Sequence, residues 1–497
     1  MPMAYLLSTA AAGLGLLASA FAAPATTGSI ALASGKSLFT FDYVTPQAHA
    51  KNWIGIYNIY SGGPEKEKFV SPSITWEYAP ATEGGVHIPA AKLQPGSYKA
   101  YFLAEDGYRW LARPVSFVVA GKGALAFTVD QFTTRNGRVG DGFRASISGL
   151  LANPPDAKTS FSKVSGPAWV RVSADGTLSG IPDAAGTSRV TVRATATDGS
   201  QASLEATIPV RKYGTPLVDR LGALSFNLWH GGTQVSDYHR KQVQFIVSTG
   251  VDVVGFQEST GGHAIRLAQA LGWDVYQGND VGIISRYPIV QVYPDMWVAG
   301  AVRISLDGEN RQVIVWNVHL GYTPYGPYDF CFDKMSWERV LRRETESGRT
   351  PQIRDVLGRM KTQLSNTSRV PIILLGDFNA PSHLDWTDDT RGQHCGVGLT
   401  PWPTSIEPFK LGLVDSFREI HPDPARVPGN TWSPVYLDNA GRREPLDRID
   451  FIYHKGLTVV DSQVLVVGKP APQPNHRHNE WTTDHAAVKS VFQLGKE

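Results

Sequence analysis

The stretch "VPIILLGDFNAP", Val370 to Pro381, begins as a buried strand and ends in a cluster of polar groups. Five of its first six residues are apolar, as expected for a strand that is covered on both faces. A glycine, a carboxylate, an aromatic ring and an amide then follow in immediate succession. Asp377 and Asn379 lie two positions apart, so in an extended chain their side chains point to the same side. We interpret this strand ending as part of an active site.

The same pattern of a polar group beside an apolar run recurs along the C-terminal half of the chain. A strand that buries its apolar body and carries carboxylates, amides or histidines at its end is the usual construction of an active site on a rigid sheet. Any one of these residues could instead be a cap or a turn residue. Their recurrence within one region favours a catalytic centre. The positions are Asn227, Gln257, Glu258, His319, Asp377, Asn379, Asp450, Asp484 and His485.

These segments resemble the endonuclease/exonuclease/phosphatase superfamily, which has the DNase I-like fold. The matching pieces, in family order, are "SFNLW", "FQES", "GIISRYPI", "NVHL", "LLGDFNAP", "PLDRIDFIY" and "TTDHAAV". The resemblance covers nearly all of residues 215–497. It implies a four-layered α/β sandwich of two packed sheets with the site between them, and a metal-dependent attack of water on phosphorus.

The proposed chemistry requires a hard cation, because the oxygens of an anionic phosphoester repel hydroxide. Magnesium keeps several waters and needs few protein ligands. We predict Mg²⁺, with Mn²⁺ or Ca²⁺ as alternatives, bound by Glu258 with help from Asn227 and Asp484. The Cys and His residues have no spacing that suits structural zinc.

The remaining strand-end residues are predicted to act on the water and the phosphate. Asp377 would activate or orient the attacking water, and Asn379 would hold the water or the phosphate. His485, oriented by Asp450, would stabilise the phosphoryl oxygens as an imidazolium. His319 would contact the phosphate from the opposite side or protonate the leaving oxygen.

Two further residues in "PLDRIDFIY" bear on these assignments. Asp447 competes with Asp450 for the role beside His485. The position directly before the apolar "FIY" matches the family better, so Asp450 is preferred. Arg448 is expected to be a structural partner.

The catalytic residues do not identify the substrate, because this fold carries many phosphoesterases on one set of them. The loops around the site are therefore used to predict the substrate class. "QESTGGHA" has no Lys or Arg before Arg266, which argues against a nuclease. The aromatic loop "LGYTPYGPYDFCFDKMSW" after His319 either packs on itself or faces the substrate. The leading hypothesis is a phosphoesterase for a small-molecule or lipid phosphoester, so nucleic acid is not the favoured partner. An extracellular DNase or RNase is the alternative, and a catalytically idle adhesion protein is third.

Composition and the N-terminus predict a secreted protein. The 47 Lys and Arg against 45 Asp and Glu leave a net charge of +2, without the basic excess of non-specific nucleic-acid binders. Residues 1–22 have the apolar run and the Ala20-Phe21-Ala22 ending of a signal peptide, and no later segment is long and apolar enough to span a membrane. In an oxidising compartment Cys331 and Cys395 are expected to form a disulfide.

The chain is predicted to have three domains after the signal peptide. Residues 27–120 and 125–210 consist of short alternating segments between Gly, Pro and Ser clusters, which predicts two β-sandwiches. The first resembles Ig-like modules, and the second resembles putative-Ig, cadherin-like modules. Neither shows a cluster of metal-ligating residues, so a spacer role or contact with a surface or polymer is expected. Residues 215–497 form the predicted catalytic domain.

Overall fold

The computed structural model describes residues 27–32, 39–59, 62–88, 93–94, 96–119, 125–152 and 159–495. The predicted signal peptide, residues 1–22, lies outside the described residues. Within the described ranges, no helix has the length and apolar character needed to cross a membrane.

The first unit is all-β. One sheet has the order β1-β2-β5 and the other β4-β3-β6-β7. Buried residues such as Phe41, Ile54, Phe102 and Phe117 belong to a single core, and alternating side chains let the strands of each sheet contribute to it. The strands are β1 (Ser29–Leu32), β2 (Thr40–Val44), β3 (Trp53–Asn58), β4 (Thr75–Tyr78), β5 (Glu83–His87), β6 (Gly96–Leu103) and β7 (Val115–Val119).

The second unit is also all-β. Its main sheet has the order β10-β17-β16-β13, with β9 also pairing with β17, beside β11-β15-β14 and the pair β12-β8. Along β16 every second residue from Val190 to Ala196 is buried, which is the period of a strand with one covered face. The all-β prediction is confirmed for both units, whereas their Ig-like identity stays a prediction. The strands are β8 (Ala126–Phe127), β9 (Gln131–Thr133), β10 (Gly137–Arg138), β11 (Phe143–Ser146), β12 (Leu151–Ala152), β13 (Thr159–Ser165), β14 (Arg171–Val172), β15 (Thr177–Gly180), β16 (Gly186–Ala196) and β17 (Gln201–Arg211).

The third unit mixes strands and helices, as predicted. Its helices are α1 (Tyr238–Thr249), α2 (His263–Leu271), α3 (Gly326–Cys331), α4 (Trp337–Glu346), α5 (Arg349–Leu364), α6 (Pro403–Lys410) and α7 (Ser416–Ile420). Its strands are β18 (Arg220–Asn227), β19 (Val253–Gln257), β20 (Asp274–Gln277), β21 (Gly282–Ser285), β22 (Ile289–Val292), β23 (Ala299–Asp307), β24 (Arg311–His319), β25 (Ile372–Asp377), β26 (Val414–Asp415), β27 (Asp438–Asn439), β28 (Arg442–Arg443), β29 (Asp450–Lys455), β30 (Thr458–Leu465) and β31 (Ala487–Gln493).

Two six-stranded sheets form the centre of this unit, with the orders β20-β21-β19-β18-β31-β30 and β22-β23-β24-β25-β29-β26. Apolar residues of both sheets share one core, including Val253, Ile373 and Val488. A Cβ atom at Gly255 would collide with Leu375 of the facing sheet. The absence of a side chain at Gly255 therefore permits the close approach of the sheets.

Helices cover the outer faces of the two sheets and complete the four layers. Helix α2 packs with α1 against the first sheet through Ala264, Leu267, Ala268 and Leu271. Its other side is largely buried as well, because the β units cover it. On the other side α5 packs against the second sheet. The DNase I-like architecture that the sequence predicted is confirmed for this unit.

Both β units pack against the third unit. The second unit shares a continuous core with helices α1 and α2. The first unit makes a hydrogen bond from Ser116 Oγ to the carbonyl oxygen of Gly261, 2.5 Å long. Arg113 of the first unit donates to the carbonyl oxygen of Gln277 at 2.7 Å and pairs with Asp295 at 3.1 Å. These contacts join both β units to the third unit, and the spacer or surface-binding role expected of them stays a prediction.

Candidate active site

Strand register brings the predicted site residues together at one edge of the sandwich. In the first sheet β18 and β19 are parallel, so Asn227 lies opposite Gln257 and next to Glu258. In the second sheet His319 pairs with Asp377 across β24 and β25, and Asp377 pairs with Asp450 across β25 and β29. These residues form a row because the parallel strands β24 and β25 end at the same edge of the sheet. The antiparallel strand β29 begins at that edge.

A cleft of about 1050 Å³ opens at this edge. Of the eight residues predicted to have a catalytic or metal-binding role, six line it: Glu258, His319, Asp377, Asn379, Asp484 and His485. The other two, Asn227 and Asp450, lie directly behind them and contact Asp377 and His485 respectively.

Asp377 occupies the centre of the site. Its Oδ2 accepts a hydrogen bond from Asn227 Nδ2 at 3.1 Å and lies 3.6 Å from the Nε2 atoms of both His319 and His485. Its Oδ1 accepts from the backbone N–H of Asn379 at 2.8 Å. Burial and the neighbouring Asp450 raise the pKa of Asp377, whereas the two histidines oppose this shift. A raised pKa makes the carboxylate a stronger proton acceptor.

His485 is held by Asp450. Its Nδ1 lies 2.9 Å from Asp450 Oδ2, which fixes the ring and points Nε2 towards Asp377. Burial alone would lower the pKa of His485, but Asp450 and Asp377 raise it well above its usual range. The two carboxylates therefore favour the protonated form of this imidazole.

His319 forms a second, matching pair with a carboxylate that sequence reasoning missed. Its Nδ1 lies 2.6 Å from Oδ2 of Asp280, which precedes β21. Burial opposes protonation, yet the hydrogen bond to Asp280 and its charge, with further help from Asp377, raise the pKa of His319 to about 9. The sequence does contain a sign of Asp280, because this carboxylate stands directly before the apolar run "VGII". Most of the predicted site residues follow an apolar run instead.

Glu258 faces the cleft from the turn after β19. Its Oε2 accepts from the backbone N–H of His230 at 2.6 Å, and its Oε1 lies 3.4 Å from Asn227 Nδ2. Glu258 has a positive φ of 54°, and Trp229, His230 and Asn379 beside the cleft also have φ above 49°. Left-handed backbone at non-glycine residues concentrates at functional sites, where the surrounding structure supports the strain.

Asn227 lies behind the cleft and contacts two of its carboxylates. Its amide nitrogen faces Glu258 and Asp377, and its Oδ1 accepts from the backbone N–H of Trp229 at 2.9 Å. Asn227 does not line the cleft. In this geometry it positions two carboxylates, and its predicted role as a metal ligand stays a prediction.

The carboxylates at the cleft fit a cation. Burial, with the charges of Glu258 and Asp377, raises the pKa of Asp484 to about 7 against the opposing effect of His485. A cation between Glu258 and Asp484 would relieve this repulsion, and hard divalent ions prefer such oxygen ligands. The donor set therefore fits Mg²⁺, Mn²⁺ or Ca²⁺ and does not choose among them.

A second group of possible metal ligands lies at the base of the cleft. Ligand atoms of Asp377, Asp450 and His485 lie within 4.8 Å of one another. Asp450 Oδ2 is paired with His485, whereas its buried Oδ1 has no hydrogen-bond partner among the described residues. This group is therefore a second candidate site for the ion, and the assignment to Glu258, Asn227 and Asp484 stays a prediction.

The two alternatives in "PLDRIDFIY" are separated by their contacts. Asp447 accepts hydrogen bonds from the side chains of Trp386 at 2.8 Å and Tyr325 at 3.1 Å, away from His485. Arg448 is fully buried and pairs with Asp385 and Asp415. Asp450 is therefore the carboxylate beside His485, and Arg448 has the structural role that was expected.

Some rings of the aromatic loop after His319 are buried and others line the cleft. Phe330 is buried against Trp386 and Trp402 of a later segment, and Tyr328 contacts Tyr325 and Phe332 within the loop. Tyr325 and Tyr328 line the cleft, where they join Tyr322, Trp229, Trp432 and Tyr436. The predicted disulfide between Cys331 and Cys395 is present, and it joins the end of α3 to the segment after Asn379.

A buried ion pair behind the loop also escaped sequence reasoning. Arg349 is fully buried and pairs with Glu344, its Nη2 lying 2.6 Å from Oε1. Arg349 also donates to the carbonyl oxygens of Asn379, Gly321 and Tyr322 at 2.7 to 3.2 Å. One guanidinium therefore fixes the loop after His319 to the strand ending that carries Asn379.

Comparisons with known proteins agree with this architecture. The family model described as "Endonuclease/Exonuclease/phosphatase family" matches residues 224–485. The chain is 35% identical over 284 residues to the Caenorhabditis elegans protein "Uncharacterized protein F14F9.5", covering 53% of this chain and 88% of that protein.

Solved structures are similar to about half of the chain. Zebrafish (D. rerio) TDP2 complexed with a single-strand DNA product is 16% identical, with a TM-score of 0.37 over 55% of this chain and 99% of that one. The human Nocturnin catalytic domain with bound sulfate is 16% identical, with a TM-score of 0.36 over 56% of this chain and 97% of that one.

Proposed function

The chain belongs to the Endonuclease/Exonuclease/phosphatase family, and on that premise we propose that it hydrolyses a P–O bond of a small-molecule or lipid phosphoester with a divalent metal. The observation that carries the proposal is the central carboxylate, Asp377, flanked at 3.6 Å by the imidazoles of His319 and His485. A base between two cationic donors suits attack of water on an anionic phosphorus centre.

Each residue of the cleft has a role in this proposal. Asp377 accepts the proton of the attacking water, helped by its raised pKa. His485, held by Asp450, and His319, held by Asp280, donate hydrogen bonds to the phosphoryl oxygens and stabilise the charge that grows there. Which histidine protonates the leaving oxygen is left open by the symmetry of the two pairs.

The metal would be held by Glu258 and Asp484, and when bound it would neutralise charge on the phosphoryl group. Asn227 keeps Glu258 in position through its amide nitrogen. His230 helps in the same way through its backbone N–H. We propose Mg²⁺ as the ion, with Mn²⁺ and Ca²⁺ as alternatives.

The rings at the cleft support an ester with an apolar or aromatic group. Trp229, Trp432, Tyr436, Tyr325 and Tyr328 line the cleft beside the catalytic residues, and their faces suit an acyl chain or an aryl group. The same rings can stack on a nucleobase, so an extracellular DNase or RNase is kept as the second candidate.

We further propose that the protein is secreted. Support comes from the signal-peptide pattern in residues 1–22 and from the disulfide between Cys331 and Cys395, since such bonds persist in oxidising compartments. Mass spectrometry of protein from the culture medium should find a mature N-terminus near residue 23. A full-length chain retained inside the cell would contradict this part of the proposal.

A substrate panel tests the function. The purified protein is assayed with Mg²⁺, Mn²⁺, Ca²⁺ or chelator on phosphomonoesters, a phospholipid, sphingomyelin, and single- and double-stranded DNA and RNA. We expect release of phosphate or of a soluble head group, lost in chelator and in Asp377→Asn. Release of oligonucleotides alone would favour the second candidate, and no turnover of any substrate would overturn the proposal.

A further inference from the structure

The first β unit contributes directly to the lining of the catalytic cleft. Ile59 and Lys99 line the cleft together with Glu258, Thr260 and His263 of the catalytic unit. Neither Ile59 nor Lys99 falls in the part of the chain that matches the family, residues 224–485. Whatever Lys99 does at the cleft is therefore particular to this arrangement of domains.

The contact that holds Lys99 at the cleft is tight. Lys99 in β6 is the register partner of Ser116 in β7, and Ser116 Oγ donates to the carbonyl oxygen of Gly261 at 2.5 Å. Gly261 has a φ of +94°, and a Cβ atom there would lie 2.5 Å from Lys99 Cε. The turn that follows Glu258 is thus fitted against the lysine stem.

The ammonium group of Lys99 has one partner that can be displaced. Its Nζ lies 2.5 Å from Oε1 of Glu65, which also accepts a hydrogen bond from Tyr101. The Lys99 side chain is 11% exposed, whereas that of Glu65 is 47% exposed. Glu65 is the more exposed partner, so an anion in the cleft would compete with it for the ammonium group, and its displacement would also break its hydrogen bond from Tyr101. The end of the Lys99 side chain lies against Gly261 and lines the cleft.

A second positive charge, that of Arg266, lies behind Lys99 in the wall of the cleft. Arg266 is buried, donates to Gln242 Oε1 at 2.6 Å and lies over the ring of Tyr238. Among the residues that the structure describes, no carboxylate forms an ion pair with Arg266. His263, between Arg266 and the cleft, has a pKa well below its usual value because of burial and the nearby cations. Lys99 and Arg266 therefore place two positive charges on this side of the cleft, against the carboxylates of Glu65 and Glu258, and positive charge at a cleft attracts anions.

We propose that Lys99 determines substrate specificity by binding a second phosphate group of the substrate, beside the phosphoester that is hydrolysed. The inference rests on the proposed function. It narrows the substrate class to phosphoesters that carry a second phosphate group. The incoming phosphate replaces Glu65 on the ammonium group, and Glu65 turns outwards into water. The poorly hydrated position of Lys99 strengthens the new contact.

Matched ligand pairs test this inference. Binding of α,ω-alkane bisphosphonates and of alkyl monophosphonates of the same chain length to the full-length protein is measured by calorimetry at constant free Mg²⁺; the phosphonate groups stand in for phosphates and are not hydrolysed. We expect the ligand with two anionic groups to bind more tightly than its partner with one, over one range of linker lengths. This increase in affinity is the gain that is compared between variants. Lys99→Met should reduce this gain about tenfold, the usual effect of losing a charge-assisted hydrogen bond. Lys99→Arg should keep the gain, and Glu65→Gln should increase it.

The controls separate this inference from the proposed function. Lys361→Met removes an exposed lysine from α5 and should leave the gain unchanged. Equal melting temperatures of Lys99→Met and the parent protein show that the fold is kept, and Lys99→Arg covers the case in which Lys99→Met does not fold. Calorimetry does not depend on turnover, so a failed substrate panel would overturn the proposed function alone. No gain from the second phosphate, or the same gain in Lys99→Met, would overturn the role of Lys99.

Discussion

His319 and Asp280 form a close carboxylate–imidazole pair, 2.6 Å from Nδ1 to Oδ2, at the side of the cleft opposite His485. The pair raises the pKa of His319 to about 9 in the folded protein, against 6.5 for an ordinary histidine. The proton on His319 therefore stabilises the fold fully below pH 6.5, and this contribution is lost as the pH rises through 9. Its size is at most roughly 3 kcal/mol.

The first prediction follows from this pair. In Asp280→Asn the pKa of His319 should fall by about one unit or more, because the main favourable interaction of the imidazolium is lost. The fall in kcat/KM at high pH should move down by the same amount. Titration of the histidine resonances by NMR measures the first effect, and a pH-rate profile measures the second.

Glu419→Gln is the control for the first prediction. It removes a similar contact, 2.9 Å long, from His454, which does not line the cleft. The pH-rate profile of this variant should match that of the parent protein. An unchanged titration of His319 in Asp280→Asn would show that the pair does not set its charge.

The second prediction concerns the central carboxylate. Asp377→Asn should lower kcat roughly 100-fold or more, the scale of lost acid/base help. Its melting temperature at pH 8 should stay equal or rise, because a carboxylate whose pKa is raised by burial destabilises the fold once it is ionised. Asp389→Asn, at an exposed position, is the matched control. A variant that keeps its full kcat would remove Asp377 from the reaction.

The third prediction concerns the metal. Glu258→Gln should raise the Mg²⁺ concentration needed for half-maximal activity by about tenfold or more, since it replaces a charged ligand by a neutral one. Calorimetric titration with Mg²⁺ in the absence of substrate should show the same loss of affinity. Glu309→Gln, on an exposed turn between β23 and β24, should bind Mg²⁺ as the parent does. Equal affinity in Glu258→Gln would assign the ion to other residues.

The fourth prediction concerns the buried pair behind the aromatic loop. Arg349→Met leaves the fully buried Glu344 without its partner, so the free energy of unfolding should fall by about 3–5 kcal/mol in urea denaturation. The double variant Arg349→Met/Glu344→Leu should recover much of this loss, because no unpaired charge remains. If the double variant is no more stable than the single one, the loop contacts of Arg349 matter more than its ion pair.

Much of the site was predictable from sequence because its residues follow apolar runs at strand ends. The strands of "SFNLW", "NVHL" and "LLGDFNAP" are continuous and buried. The polar residues at their carboxyl ends could therefore be identified without knowing which strands pair with each other. Asp280 escaped because His319 lies 39 residues away along the chain. Arg349 escaped because the carbonyl groups that it binds, those of Asn379 and Gly321, lie 30 and 28 residues away.

The contribution of the first β unit was beyond the sequence for the same reason. Lys99 lies in the strand "GSYKAYFL", whose pattern predicts only a sandwich core. Its approach to Gly261 depends on how two domains pack, which no local pattern encodes. The sequence identified Asn227, but the orientation of its amide depends on contacts with Trp229 and two carboxylates that no local pattern predicts.

The last prediction concerns the disulfide between Cys331 and Cys395, which are 64 residues apart. Closing a loop of this length stabilises the fold by about 4 kcal/mol at most in the loop-entropy model. Cys331→Ser should therefore lower the melting temperature. It should also raise KM more than it lowers kcat, because α3 carries Tyr328 at the cleft while the catalytic strand ends stay in place.

Cys331→Ser/Cys395→Ser, which leaves no free thiol, is the control for thiol side reactions and should behave like the single variant. Mass spectrometry of the non-reduced parent protein should show a peptide pair joined through these cysteines. Two free thiols in this measurement would show that the disulfide does not form. A rise in KM on loss of the bond would place the disulfide in substrate recognition, because only the rim of the cleft, and not its base, depends on α3. An unchanged KM with a lower melting temperature would limit the bond to stabilising the fold.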